Sequence, residues 1–310
     1  MTAVLRDRVA IVTGGGRGIG RAIALKMAAA GARVVVNDLG VSVAGDAEQI
    51  APADEVVREI RELGGEAVAD KGSVTDWDAT RHMVATAVDT FGRLDIVVNN
   101  AGIIRMARID AMSAGDWHAV TRVHLAGSFN LSRAAAPVFR SQKSGAYVHM
   151  TSASGLIGST SQANYAAAKL GIVALSKAIA LDMAAYNVRS NCIAPSSTSR
   201  MTELTDSRRT AELSAEALAT LQKSRAASQP DQMAPLVVYL ASDLAHGVNG
   251  QVIGARGNEL YLYSQHRPIR VLNSAEPWTA EKLAERLPQA WSASLVPLDR
   301  ITDVFRWAPI

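Results

Sequence analysis

Apolar runs of four to six residues alternate with longer stretches of helical period along most of this chain, and that alternation restricts the fold more than any other feature. Such a pattern suits a parallel sheet covered by helices on both faces. Arg8 to Thr13 reads as a first strand, and Gly18 to Ala30 as a helix closed by Gly31. Arg33 to Asn37 is a second, β-branched strand, followed by a loop with Gly40, Gly45 and Pro52 and a helix from Ala53 to Leu63. Strands at Glu66–Ala69 and Leu94–Asn99 flank a helix over Asp76–Phe91. Ser113 caps one long helix running to Phe139, and Gly145–Ser152 is the fifth strand. A helix over Gln162–Ala185, a strand over Val188–Ile193, a helix over Gln232–Ser242 and a strand over Gly250–Gly254 complete the order. Right-handed crossovers between these strands make an α/β, doubly wound, Rossmann-like parallel sheet of about seven strands.

The expected organisation is a dinucleotide-binding catalytic domain over 1–256 and a C-terminal extension over 257–310. Met201 to Ser228 is polar and amphipathic, and reads as a lid rather than a core helix. Arg208 and Arg209 on it are candidates to meet the phosphates of a ligand, or are simply solvated charges. The extension carries an aromatic, alternating strand at Glu259–Tyr263 and a short helix near Thr279–Leu287. Its charges balance, so packing or subunit contact is the expected role.

Composition excludes several classes. Hydrophobic residues make up 48% of the 310 and charged residues 20%, which rules out wholesale disorder. Lys plus Arg exceed Asp plus Glu by only three, so no basic stripe points to nucleic acid. The single cysteine, Cys192, cannot form an internal disulfide, and no Cys/His spacing suggests a metal site. No run reaches the roughly 18 apolar residues of a membrane helix. Neither a secretory leader at the start nor a peroxisomal or lipidation signal at the end is visible, so the expected location is cytoplasmic, with no membrane partner.

Thr13-Gly14-Gly15-Gly16-Arg17-Gly18-Ile19-Gly20 lies between a strand and a helix. Glycines there let backbone N–H groups and the helix dipole approach a pyrophosphate. The spacing is T-G-x-x-x-G-x-G rather than G-x-G-x-x-G, and a tight structural turn is the competing reading. Asp38, twenty residues after Gly18, ends the second strand where a carboxylate accepts from an adenine-ribose diol. A carboxylate repels a 2′-phosphate, which favours NAD over NADP. Arg17 pulls the other way, and Asp38 could also merely cap a turn; Asp38 is given the greater weight.

Tyr165 and Lys169 are four residues apart on one helix, hence on one face, and Ser152 ends the fifth strand. Y-x-x-x-K alone is common; the added serine makes the set specific. Carbonyl–alcohol conversion with nicotinamide needs a proton carrier at the reacting oxygen. Moving a tyrosine from about 10 to about 7 takes roughly 4 kcal/mol of phenolate stabilisation. The Lys169 ammonium and an oxidised nicotinamide are candidates to supply it, and Ser152 to hydrogen-bond the substrate oxygen.

Thr13–Gly20, Asn99-Asn100-Ala101-Gly102, Ser152, Tyr165 and Lys169 together resemble the classical short-chain dehydrogenases/reductases, from about residue 5 to 256. The resemblance implies that Tyr165 is the acid/base, that Lys169 also holds the nicotinamide ribose, and that Ser152 orients substrate. By the same resemblance the cofactor is lined by Gly14, Gly16, Arg17, Gly18, Ile19, Gly20, Asp38, Asn99, Ala101, Gly102 and Pro195. Adenine contacts after strand three rest on Ser73 and Val74, because the family's usual acidic residue is missing there and Asp70 is displaced. Arg200 replaces a threonine many relatives have. His124 stands where many members have Asn, so a water relay to the lysine would pass through its backbone carbonyl; direct proton transfer by the ring is the alternative.

A narrower likeness lies in Val35–Gly40, Val123–Phe129, Gln162-Ala163-Asn164-Tyr165, Ile193-Ala194-Pro195 and Ser199-Arg200-Met201-Thr202. These are similar to the (3R)-hydroxyacyl-CoA dehydrogenase domain of peroxisomal multifunctional enzyme type 2 and its bacterial single-domain relatives. That likeness implies NAD-dependent interconversion of (3R)-3-hydroxyacyl-CoA and 3-oxoacyl-CoA, with an acyl-CoA as substrate. A hydroxysteroid or other lipophilic alcohol is the runner-up. A non-catalytic NAD sensor is the reading from another class, disfavoured because a sensor needs no phenol poised by a lysine. The family's subunit-contact helices match 113–139 and 162–185, so a homodimer or homotetramer is expected.

Overall fold

A computed structural model of the chain describes residues 3–46, 51–197 and 228–305, together with residues 222 and 226. Eight strands form one sheet in the order β3-β2-β1-β4-β5-β6-β7-β8. They are β1 Val9–Thr13, β2 Arg33–Asn37, β3 Ala67–Asp70, β4 Ile96–Asn99, β5 Gly145–Met150, β6 Val188–Ser196, β7 Val252–Arg256 and β8 Glu259–Leu262. The first seven run parallel, and the chain leaves β1 in both directions, toward β2 on one side and β4 on the other.

Alternate residues of each strand serve opposite faces, which is why the runs are apolar throughout. Val12, Val36, Val98 and Val148 face α1 (Gly18–Ala29), α2 (Pro52–Glu62) and α8 (Ala234–Ala241) through Ile23, Ile60 and Val237. Ile11, Val35, Val97 and Tyr147 face α3 (Trp77–Phe91) and α5 (Gly127–Gln142) through Met83, Leu131 and Phe139. A third cluster joins Ile172 and Val173 of α7 (Ala163–Met183) to Cys192 and Val252. Cys192 is wholly buried there, and burial pushes its thiol up to about 12, an unreactive state.

Capping follows sequence chemistry. The Asp76 carboxylate accepts from Ala79 N at 2.9 Å, Gly92 closes α3 at φ 80°, and Ser113 Oγ accepts from Asp116 N at 3.0 Å to start α4 (Ala114–Thr121).

Three boundaries differ from expectation. The long helix from Ser113 is not uniform: α4 passes through a π turn at Arg122–Ala126 into α5, which continues past Phe139 to Gln142. Gly127, just after that turn, packs where a Cβ would stand 2.7 Å from the Val74 side chain. Strand β6 extends through Pro195, because β5 has already ended at Met150 and the missing N–H has no ladder partner on that side. The sheet has eight strands rather than about seven. Gly257, at φ 58°, turns the chain in a two-residue hairpin, and β8 pairs antiparallel on β7 with Arg256 opposite Glu259.

Beyond β8, α9 (Ala280–Trp291) is capped by Thr279, and α10 (Ile301–Val304) precedes Phe305. Phe305 returns to Tyr261 of β8, with ring centroids 5.2 Å apart.

Candidate active site

A cleft of about 450 Å³ opens at the carboxyl ends of β1 and β4, where the strand order reverses. Crevices at that switch point are the ligand sites of open α/β sheets. Thr13, buried at the end of β1, ties the two strands: its Oγ1 donates to Val98 O at 3.2 Å and accepts from the amides of Asn100 and Ala101 at 3.0 and 3.1 Å.

The glycine loop then enters α1. Gly20 lies where a Cβ would stand 2.0 Å from Gly14 O, so only glycine lets the first helical turn rest on the loop. Gly18 has φ 51° and open space where its Cβ would be. No side chain caps α1 and its first turn holds no carboxylate, so its amides and dipole face the cleft as a phosphate cradle. Gly14, Arg17, Gly18, Ile19 and Gly20 line the cleft. Gly16 sits behind it, against expectation: its N–H donates to Asp38 Oδ2 at 3.0 Å, and a Cβ would stand 2.6 Å from Pro52. Gly16 therefore aims Asp38 instead of touching a ligand. Asp38 does line the cleft, its other oxygen accepting from Gly40 N at 2.9 Å.

Ser73, Val74, Ala101, Gly102 and Pro195 also line the cleft. Asn99 does not. Expected among the lining residues, it is buried with Nδ2 donating to Ser132 Oγ at 3.0 Å and to His149 Nδ1 at 3.1 Å. Strand alternation turns Asn99 to the α5 face; Asn100, one residue on, lines the cleft and donates to Thr13 O and Gly14 O at 2.9 and 3.1 Å. His149 is neutral, pushed down to about 3 by burial and then by Lys169.

Tyr165 and Lys169 line the cleft; Ser152 does not, although Thr151 before it does. Ser152 follows β5 and caps α6 (Ala153–Leu156), its Oγ accepting from Ser154 N at 3.1 Å. The same hydroxyl lies near enough to the Tyr165 phenol to lower it. Lys169, buried one turn along α7, donates from Nζ to Met150 O at 2.7 Å. Burial raises the Tyr165 phenol, and the nearby Ser152 hydroxyl partly offsets it; burial drops Lys169 to about 7. The downward pull expected on Tyr165 is thus outweighed within the protein by desolvation.

The ring of His124 meets Tyr165 edge-on at 5.1 Å, while Nε2 donates to Ile103 O at 2.8 Å. Burial and then Lys169 hold it well below the imidazole range, so it is neutral. Its carbonyl accepts from Ser128 Oγ at 2.6 Å. With Nε2 committed to Ile103, the ring is placed to orient Tyr165.

Sequence reasoning missed Asn164 as a site residue. Fully buried, it donates to Arg105 O at 3.0 Å and Asp116 O at 3.1 Å, and accepts from Tyr165 N at 2.8 Å. A polar residue immediately before the tyrosine was the only signal. Val41–Val43, Gly45, Arg105 and Arg122 are further lining residues not anticipated. Most of the expected lid, with Arg200, Arg208 and Arg209, lies outside the described residues; Ser197 Oγ donates to Ser228 O at 3.2 Å.

The profile of the short chain dehydrogenase family matches residues 8–213. This chain belongs to the short-chain dehydrogenases/reductases. It is an oxidoreductase of a family that uses a nicotinamide cofactor, NAD or NADP. A Mycobacterium tuberculosis protein named for the same family is 45% identical over 239 residues, 77% of this chain and 79% of the relative. Peroxisomal multifunctional enzyme type 2 of Mus musculus is 45% identical over 236 residues, 76% of this chain but only 30% of that protein. The crystal structure of a short chain dehydrogenase from Mycobacterium avium superposes with TM-score 0.81 at 37% identity, covering 95% of this chain and 98% of that one.

The uncapped α1 terminus, the open position at Gly18 and the Asp38 wall fit a dinucleotide. In this short-chain dehydrogenase the loop from Gly14 to Gly20 would hold the pyrophosphate, Asp38 the adenosine ribose, and Tyr165 with Lys169 the nicotinamide ribose.

Proposed function

We propose that this protein is an NAD-dependent dehydrogenase interconverting a secondary alcohol and a ketone, with (3R)-3-hydroxyacyl-CoA and 3-oxoacyl-CoA as the pair. The observation that carries the reading is that Tyr165 lines a dinucleotide-shaped cleft with the buried Lys169 nitrogen 5.5 Å from its ring centre. A nicotinamide bound in the cleft would supply the hydride acceptor for the carbinol carbon. Tyr165 removes the hydroxyl proton, and Ser152 donates to the oxygen as it becomes a carbonyl. In its protonated form, Lys169 favours the phenolate by proximity of charge, and its bond to Met150 O keeps it in place.

NAD is favoured because Asp38 presents a carboxylate already oriented by two backbone amides, which a 2′-phosphate would meet at a charge penalty. The acyl-CoA assignment rests on similarity to peroxisomal multifunctional enzyme type 2. Residues 257–310 act in this reading as a packing and subunit-contact extension, with β8 covering the edge of β7 and Ile301 N donating to Gly158 O at 3.2 Å. Exposed Phe129 and Leu181 on α5 and α7 support a homodimer or homotetramer.

The test is a panel of (3R)- and (3S)-hydroxyacyl-CoAs, hydroxysteroids and simple alcohols, read by absorbance of reduced cofactor with NAD and with NADP. Preferred turnover of (3R)-acyl-CoA with NAD supports the proposal. Preference for steroids transfers it to the lipophilic-alcohol reading. Asp38→Ala should weaken NAD more than NADP, and equal loss of both would remove the cofactor argument.

A further inference from the structure

The segment after β2 does not stay on its own side of the sheet. Val43 O accepts from Ile104 N at 2.9 Å, and Ala44 O accepts from Arg105 Nε at 2.9 Å. Ile104 and Arg105 follow β4, and β2 and β4 flank β1, so these two bonds cross above the carboxyl end of β1 where the cleft lies. The strap is held as a compact turn: Ser42 N donates to Asp46 O at 2.7 Å, and Ser42 Oγ accepts from the amides of Ala44 and Asp46 at 3.2 and 3.1 Å. Gly45, at φ 95°, rests on Ile103, with space for a Cβ only 3.3 Å from Ile103 Cδ1. Arg105 is itself braced, its guanidinium 3.4 Å from Asp116 and its carbonyl held by Asn164.

We propose that residues 41–46 form a strap latched across the cofactor crevice, and that Arg105 is the positioning residue that keeps it shut and slows dinucleotide release. The strap also meets the glycine loop, Arg17 Nη1 donating to Val41 O at 3.5 Å. Val41, Ser42, Val43 and Gly45 line the same cleft, so in this proposal a bound dinucleotide leaves when the bonds from Ile104 and Arg105 open or when it threads past them. Arg105 also meets the site through Asn164, which accepts from Tyr165 N, so the latch and the tyrosine share one support. This inference rests on the crevice holding a nicotinamide dinucleotide, and on nothing about the alcohol.

The experiment is stopped-flow displacement of NADH, and in parallel NADPH, followed by protein-to-nicotinamide energy transfer in the whole chain. Arg105→Met removes the latch donor, and Gly45→Ala unseats the strap by a different route, since alanine resists that φ. Each should release reduced cofactor roughly five- to tenfold faster, the worth of one hydrogen bond. Hydrogen exchange at the Ile104 amide should accelerate in both variants. Arg108→Met, which removes an exposed ion pair with Asp110, should leave the rate unchanged. Unaltered release in both latch variants overturns the proposal, as does equal acceleration in Arg108→Met. Failure of the unmodified protein to bind either dinucleotide overturns it together with the cofactor reading, and is distinguished by the absence of any transfer signal.

Discussion

The ammonium nitrogen of Lys169 sits 5.5 Å from the centre of the Tyr165 ring, buried and bonded to Met150 O at 2.7 Å. The lysine therefore lies by the phenol without being consumed by a carboxylate, a placement suited to stabilising phenolate. Tyr165→Phe keeps the ring and its contact with His124 but deletes the proton carrier. Oxidation should fall at least 10²- to 10⁴-fold, the usual worth of a general base. Affinity for NADH, measured by fluorescence titration, should hold within a few-fold.

Lys169 also links stability to pH. Its native value is about 7 against 10.5 unperturbed, so between those values the unfolded chain binds a proton that the native protein has released. Stability contributed by this group thus rises with pH across that window and is lowest below it, by up to about 1.4 kcal/mol per pH unit. Urea unfolding at pH 7, 8 and 9 should show the unmodified protein gaining on Lys169→Met as pH rises. A constant difference would contradict the burial argument.

Asn164→Ala removes a partner from the part-buried carbonyls of Arg105 and Asp116 and from the amide of Tyr165. Each unsatisfied buried group costs roughly 1–3 kcal/mol, so a visible drop in urea midpoint is expected. Because the tyrosine loses its support while the phosphate cradle does not, kcat should fall more than NADH affinity. Asn164→Asp, able to accept from Tyr165 N but not to donate, should recover less than half of the lost kcat.

Two glycines in the same loop should behave differently. Gly20→Ala forces a methyl to within 2.0 Å of the Gly14 carbonyl, a backbone atom that cannot step aside. Overpacking of this kind costs about 1–3 kcal/mol, and the displaced loop should lose dinucleotide binding. Gly18→Ala meets no atom within 4 Å and pays only for its φ of 51°, about 1–2 kcal/mol. Thermal unfolding paired with NADH titration should show binding lost in the first and largely kept in the second, unless the methyl at Gly18 obstructs the phosphate directly.

Much of this molecule was readable before any coordinates, for reasons that lie in short stretches of chain. Val34-Val35-Val36 is apolar on both faces because a parallel strand is buried on both. The Tyr165–Lys169 spacing places two side chains on one helical face whatever surrounds it. What escaped were consequences of packing. Asn99 and Asn100 are chemically identical neighbours, and only the pleat of β4 decides that the first joins Ser132 and His149 while the second faces the cleft. The π turn at His124 spans only five residues, too few for its wider period to be told from that of the helices on either side.

Composition and local pattern alone determined a doubly wound α/β chain with a phosphate-binding turn and a Ser–Tyr–Lys set, because helix, strand and glycine preferences act over a few residues. Tertiary structure alone decided the strap from Val43 and Ala44 to Ile104 and Arg105, the three bonds of Asn164, and the return of Phe305 to Tyr261. Each joins residues from 44 to 61 positions apart, apart from the short bond to Tyr165, and at such separations chain propensity is silent and the folded sheet sets who meets whom.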